Sequence, residues 1–418
     1  MGENKLIKVL PFYRFLDIVL IALLVMSGGG LLFVFHRNPL TILLFLISFF
    51  TLIINQKKIE KPLFNSSVLS IIVFSSLILI NYITSIGDQK FIKYVFHLLN
   101  ILSCIIIIIH FFNNRDRKYF LSILRFVLRI VLFFSLVNFI IYPFVKGSLN
   151  TIFYNIDKVV YSFGNLFFYN PERSSLYIYG IEFVRNQGWF WEPGINQIYL
   201  NILLYLEGLI YRRSRLIIIL IILAVFTTYS TTGLVIMLVI IFFIFRSYLR
   251  KNPILILFSM FLLIPTYYIA KNNINDKLET SSFQKRYFDF IQTISITKDY
   301  PITGIGLDFE HFASFRNNYY LSDEVREDIE SYTGQKSNAK SKEKGSSNSI
   351  TFLFAAMGIP MSIFLMFCMY RQNLFKKNKL VFLFIIVLSL FSEPLLFRPF
   401  YLMLIVSGMT SFFYKFTK

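Results

Sequence analysis

The sequence has little cysteine: two residues in 418, Cys104 and Cys368, both inside apolar runs. That excludes a disulfide framework and a cysteine-based metal centre. It contains no HExxH, no P-loop, no cysteine–histidine zinc spacing and no nucleophile elbow. The usual sequence signatures of zinc proteases, P-loop nucleotide hydrolases, zinc modules and α/β-hydrolases are therefore missing. No internal repeat is found. Charged residues are only 16% of the chain, whereas 56% are hydrophobic and 18% aromatic.

The composition that remains is that of a membrane protein. A soluble core does not need this much apolar surface, and the mean hydropathy is +0.62. Apolar runs near 14–35, 39–55, 64–85, 91–112, 119–144, 194–211, 215–229, 231–248, 253–270, 349–370, 379–394 and 399–414 predict about twelve transmembrane helices. The first run lacks a small-residue cleavage site and reads as a retained span. The fold class predicted is an all-α polytopic membrane protein.

The net charge of +19 raises the question of nucleic acid. Its placement answers it, because basic residues fill every second connection. They include Lys57, Lys58 and Lys61, then Arg115, Arg117 and Lys118, then Arg212, Arg213 and Arg215. Arg246, Arg250 and Lys251 follow, and finally Arg371, Lys376, Lys377 and Lys379. The opposite connections carry only Arg37, Lys90 and Arg398 among the short ones. By the positive-inside rule both termini are cytoplasmic, and no nucleic-acid partner is expected. The predicted organisation is helices 1–5 over 1–145, an extracytoplasmic loop over 146–193, helices 6–9 over 194–270, a large extracytoplasmic loop over 271–348, and helices 10–12 over 349–418. Lys336–Ser349, KSNAKSKEKGSSNS, is low-complexity.

Arg185–Asn201, RNQGWFWEPGINQIYLN, carries the most chemistry. Both tryptophans of the protein, Trp189 and Trp191, favour a membrane–water interface there. Pro193 suits a first helical turn, and the helix it begins points its positive end at Arg185. Arg185 reads as a phosphate ligand or as a solvated loop arginine. Glu192 reads as a general base or as an acid favoured at a helix start. Asn196 and Asn201 either line a polar groove or pack between helices.

The second external loop offers Ser282–Thr297, whose apolar spacing predicts a helix on the membrane surface with Lys285 and Arg286 at its side. Tyr300–Asp308 follows, in which Gly304 and Gly306 let the backbone bend or approach a ligand. Asp308, Glu310 and His311 are an acid–base group or a polar loop, and the loop is the simpler expectation. Ser347, Asn348 and Ser349 meet a sugar or cap the next helix. Within the spans, Asp17, His110 and Glu207 lie near segment ends where water is in reach. Arg125 and Arg129 are expected to snorkel, and Glu393 and Arg398 to pair or contact water.

These features together resemble the O-antigen polymerase and O-antigen ligase superfamily of bacterial membrane glycosyltransferases. Three motifs carry the resemblance: Arg185-x-x-Gly188-x-Phe190-x-Glu192-Pro193-Gly194, then Arg286 followed by Pro301-x-x-Gly304-x-Gly306, then Asn348-Ser349 followed by Gly358. The Ser230–Gly233 turn is also similar. The resemblance implies a GT-C-like membrane fold and a metal-independent, inverting glycosyl transfer without cofactor. Its implied substrate is an undecaprenyl-pyrophosphate-linked oligosaccharide at the outer face of the cytoplasmic membrane. Arg185 and Arg286 would hold the pyrophosphate and Glu192 would take the proton. Trp191, Asn196, Gly304, Gly306 and Asn348 would line the substrate site, with no metal. Implied partners are membrane lipid and a chain-length regulator and flippase of the same pathway.

One position departs from the family pattern. Ligases of this superfamily carry histidine where this chain has Ser347, and serine is a poor general base. That favours a polymerase of O-antigen or capsular repeat units over a ligase acting on lipid A or protein. A flippase of lipid-linked sugars is the alternative outside enzymes. Arginines gathered at one external surface favour chemistry there over passage.

Overall fold

The computed structural model describes residues 11–54, 58–155, 158–178, 181–212, 215–249, 281–316 and 346–417. The apolar run at 253–270 and most of the low-complexity stretch, 336–345, lie outside the described residues.

The chain is mostly helical. Helix α1 (Pro11–Ser27) ends at Gly28–Gly30, and α2 (Leu31–Phe35) and α3 (Arg37–Ile54) follow. The first predicted run is thus interrupted rather than continuous. Gly29 has φ +117°, which only glycine adopts without strain. Next come α4 (Lys61–Thr84) and α5 (Phe91–Ile109), the latter continued by a π-helical turn at His110–Asn114. Helix α6 (Arg117–Val145) is capped by Asp116, whose side chain accepts the Tyr119 amide.

The stretch 150–184 departs from an all-α chain. Strands β1 (Asn150–Asn155), β2 (Lys158–Phe163) and β3 (Phe167–Tyr169) form an antiparallel sheet. After the single turn α7 (Pro171–Ser174), β4 (Ser175–Ile178) pairs with β5 (Ile181–Val184). Gly164 and Asn165, both with positive φ, turn β2 into β3. Aromatic and β-branched residues between such turns favour strands, and this stretch is not long and apolar enough to require a helix.

Helix α8 (Pro193–Tyr205) extends into a π-helical segment, Leu206–Tyr211. Helices α9 (Arg215–Thr227), α10 (Thr231–Leu249), α11 (Ser281–Asp299) and α12 (Phe309–Arg316) follow. The described chain closes with α13 (Ser349–Arg371), α14 (Lys379–Ser392) and α15 (Pro399–Thr417). Among the described residues five helical stretches are long and apolar enough to cross a membrane: Arg37–Ile54, Lys61–Thr84, Phe91–Asn114, Arg117–Ser148 and Ser349–Arg371. The protein is an integral membrane protein by this measure.

Two helices form the centre. Every residue of α8 from Ile195 to Tyr205 is buried, among α6, α9, α10 and α14. Helix α15 is buried from Pro399 to Thr410, against α4, α5 and α13. Large side chains such as Phe133, Ile140 and Phe144 point outward, as bilayer-facing residues do.

Ions inside this core are paired, contrary to the expectation that they reach water. Asp17 and His110, both fully buried, meet at 2.7 Å. Arg115 Nε and the Tyr119 hydroxyl donate to the other Asp17 oxygen at 3.2 and 3.0 Å. Arg125 does not snorkel. It grips buried Glu207 with Nε–H and Nη2–H, at 2.8 and 2.7 Å, and Arg129 Nε–H adds a third bond at 2.6 Å. An isolated charge in hydrocarbon is costly, so two helices that each carry one are drawn together.

Candidate functional site

Arg185 directly follows β5, in a turn that three helices hold. The Asn186 amide donates to the Thr227 carbonyl at 3.0 Å. Its side-chain Nδ2 donates to the Ser135 carbonyl and to Thr227 Oγ1, at 2.8 and 2.9 Å. Asn186 Oδ1 then accepts the Gly188 amide at 3.1 Å. Gly188 has φ +55°, and a Cβ there would crowd Ser135 Oγ at 2.8 Å. Asn196, on α8, donates Nδ2–H to the Asn186 carbonyl and accepts from Ser135, both at 3.1 Å. Asn196 is therefore a buried brace of this turn, and the packing alternative of the sequence reading is the one observed. Asn201 likewise bonds Gln197 and the Gly233 carbonyl.

The segment after the turn ties α8 to the Gly28–Gly30 bend. The Trp191 amide donates to Gly29, the Leu31 amide to the Trp189 carbonyl, and Phe190 stacks on Tyr199 at 4.7 Å. Trp191 meets Phe35 edge to face at 6.0 Å. Glu192 occupies the N-cap of α8 with its carboxylate exposed and making no capping bond. Capping therefore does not account for this acid.

Arg185 reaches back with Nε–H to the Thr228 carbonyl at 3.2 Å. Glu192, Glu393, Tyr229 and Arg286 all act electrostatically on its guanidinium. Burial lowers its pKa below the ordinary guanidinium range; the two carboxylates oppose this and Arg286 reinforces it. The arginines of the first two motifs, about a hundred residues apart in sequence, thus lie close enough to act on each other. Arg286 itself is exposed on α11.

Two acids that the sequence reading did not place here complete the surroundings. Glu393, at the end of α14, is only 6% exposed, and its carboxylate lies against Gly194, where any Cβ would overlap it. Its backbone carbonyl accepts the Ser349 hydroxyl at 2.6 Å. It makes no ion pair with Arg398, contrary to one expectation. The available signal was the repeated Glu-Pro pair, Glu192-Pro193 and Glu393-Pro394. Asp289, one turn after Arg286, is buried. It accepts Arg316 Nη1 at 2.6 Å and the Ser347 amide at 2.8 Å. No local sequence signal distinguishes Asp289.

The third motif starts α13. Asn348 Oδ1 accepts the amides of Ile350 and Thr351, at 2.9 and 3.2 Å, so its side chain is a cap. Gly304 and Gly306 pack against the kink of the same helix. Ile305 and Gly306 donate to the carbonyls of Ala355 and Ala356, both at 2.9 Å, and Gly304 donates to Tyr300. Their amides are engaged by backbone rather than open to a ligand. Gly358, at φ +72°, lies so close to Ile302 that no side chain fits. Asp308 begins α12, accepting the Glu310 amide at 2.9 Å, so this group is a helix start rather than a loop. Glu310 pairs with Lys90 and Lys93, at 2.6 and 3.2 Å. These hydrogen-bonded lysines hold its pKa down to about 2.

Between α11 and α13 runs an apolar groove of about 230 Å³, lined by Ile294, Thr297, Lys298, Pro301, Thr351, Phe354 and Ile359. Among the described residues no three His, Cys, Asp or Glu side chains converge as a metal site. The arrangement is one of two arginines, two carboxylates and the start of α8, and the apolar groove lies farther along α11, the helix that carries Arg286. It can bind a polyanionic head group with an apolar tail and deprotonate a hydroxyl.

Residues 216–339 match the family model described as O-antigen ligase. This match covers less than half of the chain and supports a relation to the O-antigen ligase/polymerase superfamily. The matched segment holds the Ser230–Gly233 turn and the Arg286 motif, and stops between Arg185 and Asn348, the anchors of the other two motifs. No curated protein matches the chain. The superfamily supports an enzyme of glycosyltransferase type, a ligase or a polymerase.

Proposed function

We propose that this protein polymerises undecaprenyl-pyrophosphate-linked oligosaccharide repeat units into O-antigen or capsular polysaccharide. The reaction takes place on the outer face of the cytoplasmic membrane, in a GT-C-like frame of about twelve spans with both termini cytoplasmic. The observation that supports this reading is that Arg286, Glu192 and Glu393 all act electrostatically on Arg185, which the turn before α8 holds in place.

Arg185 and Arg286 hold the donor pyrophosphate and neutralise it as it leaves. An acceptor hydroxyl oxygen attacks the anomeric carbon from the opposite face, forming the new glycosidic bond with inversion. The bond from that carbon to the pyrophosphate oxygen breaks and releases undecaprenyl pyrophosphate. The hydroxyl proton passes to a carboxylate. Glu192 is the base assigned here, because its carboxylate makes no capping bond and reaches solvent. Trp191 lies at the interface beside it. The groove between α11 and α13 suits the first isoprene units of the donor. A chain-length regulator and a flippase of the same pathway are the expected protein partners.

A ligase acting on lipid A or protein is the second reading, favoured by the description of the matched family. Ser347, where ligases have histidine, weighs against it. Purified protein incubated with the lipid-linked repeat unit and EDTA separates the readings. A ladder of products is expected of a polymerase, a single transfer of a ligase. Movement of intact substrate across vesicles without elongation would replace both with transport.

A further inference from the structure

A second cationic centre lies at the same end of the bundle, and the mechanism above does not use it. Arg37 begins α3, and Arg398 sits in the turn between α14 and α15, its amide donating to the Leu395 carbonyl at 2.9 Å. The two guanidinium groups act on each other electrostatically. Both act on His97, which edges the Phe397 ring at 5.5 Å. His97 is 5% exposed, and its Nδ1 has no hydrogen-bond partner. Neither arginine makes an ion pair among the described residues, and no carboxylate counts among the charges acting on Arg37, His97 or Arg398.

Arg115, Arg125 and Arg316 each have an acid in contact, Asp17, Glu207 and Asp289, whereas Arg37 and Arg398, like Arg185, have none among the described residues. Two part-buried arginines that act on each other without an acid repel, and an anion from outside that completes them relieves that repulsion. Beside Arg398 stand the hydroxyls of Tyr199 and Tyr401. Both are fully buried and face each other. Burial, with the repulsion of Arg37, lowers the Arg398 pKa to about 9, so the group is still cationic at neutral pH. The turn 393–398 separates this centre from the first one. Glu393 at its start faces Arg185, and Arg398 at its end faces Arg37.

We infer that Arg37 and Arg398 form a second anion site, which takes the phosphate or diphosphate head group of a lipid at the outer membrane surface. If the chain is a polymerase, as proposed above, this head group is that of the acceptor. A polymerase of lipid-linked units holds two such molecules at once. One loses its pyrophosphate at Arg185 and Arg286, and the other keeps its own and must be held a repeat unit away.

The test is the binding stoichiometry of radiolabelled undecaprenyl diphosphate to the full chain in phosphatidylcholine nanodiscs. Two equivalents are expected for the wild type, and one each for R37Q/R398Q and R185Q/R286Q. R37K/R398K should keep most of the second equivalent. R37Q/R398Q should unfold at a temperature equal to or above that of the wild type, because it removes a repulsion and no ion pair. One equivalent for the wild type, or two for R37Q/R398Q, overturns the inference, and the first of these needs no variant to fold. In nanodiscs containing phosphatidylglycerol, selective loss of the Arg37–Arg398 equivalent assigns the site to bilayer head groups. Its retention assigns the site to the diphosphate carrier. If the wild type binds two equivalents yet makes no ladder from the repeat unit, the polymerase reading fails while the second site stands. A ladder made by a wild type that binds one equivalent has the opposite meaning.

Discussion

Arg316 Nη1 donates a 2.6 Å hydrogen bond to Asp289 Oδ1, with 2% and 1% of the two side chains exposed. The other Asp289 oxygen holds the Ser347 amide. One carboxylate therefore joins the helix that carries Arg286 to the end of α12 and to the start of α13. Removing it takes a buried, hydrogen-bonded carboxylate away from Arg316. D289A is expected to cost about 3–5 kcal/mol, read as a fall in the thermal unfolding midpoint in detergent. A double-mutant cycle with R316A should show strong coupling. Additive effects would deny the pair its role.

Glu393 and Gly194 give a second prediction. A methyl group on Gly194 overlaps the Glu393 carboxylate, yet Gly194 has no left-handed backbone to strain. G194A should therefore fold and express while losing at least tenfold in polymer yield. E393Q keeps the shape and tests the charge. An unchanged yield in both variants would remove Glu393 from the site.

Arg185 and Arg286 make no internal ion pair among the described residues, so R185A and R286A should leave stability nearly unchanged. Each is expected to lower turnover by about 10²–10³-fold, the scale for removing one electrostatic donor at a transition state. E192Q should lower it by about 10²–10⁴-fold if Glu192 is the general base. Initial rates with purified protein and lipid-linked repeat unit provide the measurement, with normal elution on gel filtration as the folding control.

Gly358 forms the kink in α13, at φ +72° and ψ 171°, against the carbonyl of Ile302. G358A needs both a strained backbone and a displaced loop. More than about 2 kcal/mol of destabilisation is expected, since the left-handed region alone costs a residue with a Cβ about 1–2 kcal/mol. G147A, which meets no atoms, is the matched control.

Glu310 tests the pH dependence. Its folded pKa lies near 2, below its unfolded value, so its ion pairs stabilise the fold above about pH 4 and that contribution is lost as pH falls through 2. The groups are well exposed, so the effect is small and salt-sensitive. E310Q should lower the unfolding midpoint slightly at pH 7 in low salt, with the difference from wild type shrinking toward pH 2. A larger difference at low pH would contradict the assignment.

The two arginine motifs were legible because each is a local string: a cation, a glycine that turns the chain, and aromatic or proline residues at a helix start. Asp289 and Glu393 were not, because nothing within a few residues of either reveals the partner it meets. Asn196, Asn348, Gly304 and Gly306 were legible as special positions but not in their roles. Asparagine offers the same amide to a sugar or to a neighbouring carbonyl, and glycine admits a ligand or another helix with equal ease. The strands at 150–184 escaped notice because the membrane-spanning runs on either side dominate the hydropathy.

By itself the sequence determined that this chain lives in a membrane, and showed the superfamily it resembles. Hydropathy and motif strings are sums over neighbouring residues, and burial in lipid depends on little else. Tertiary structure alone decided which charges are paired and which face open space: Glu207 closed by Arg125 and Arg129, Arg185 turned toward Arg286, Arg37 beside Arg398 with no acid between them. The worth of a charge depends on what lies within a few ångströms of it, and in a helical bundle those neighbours come from segments far apart in the chain.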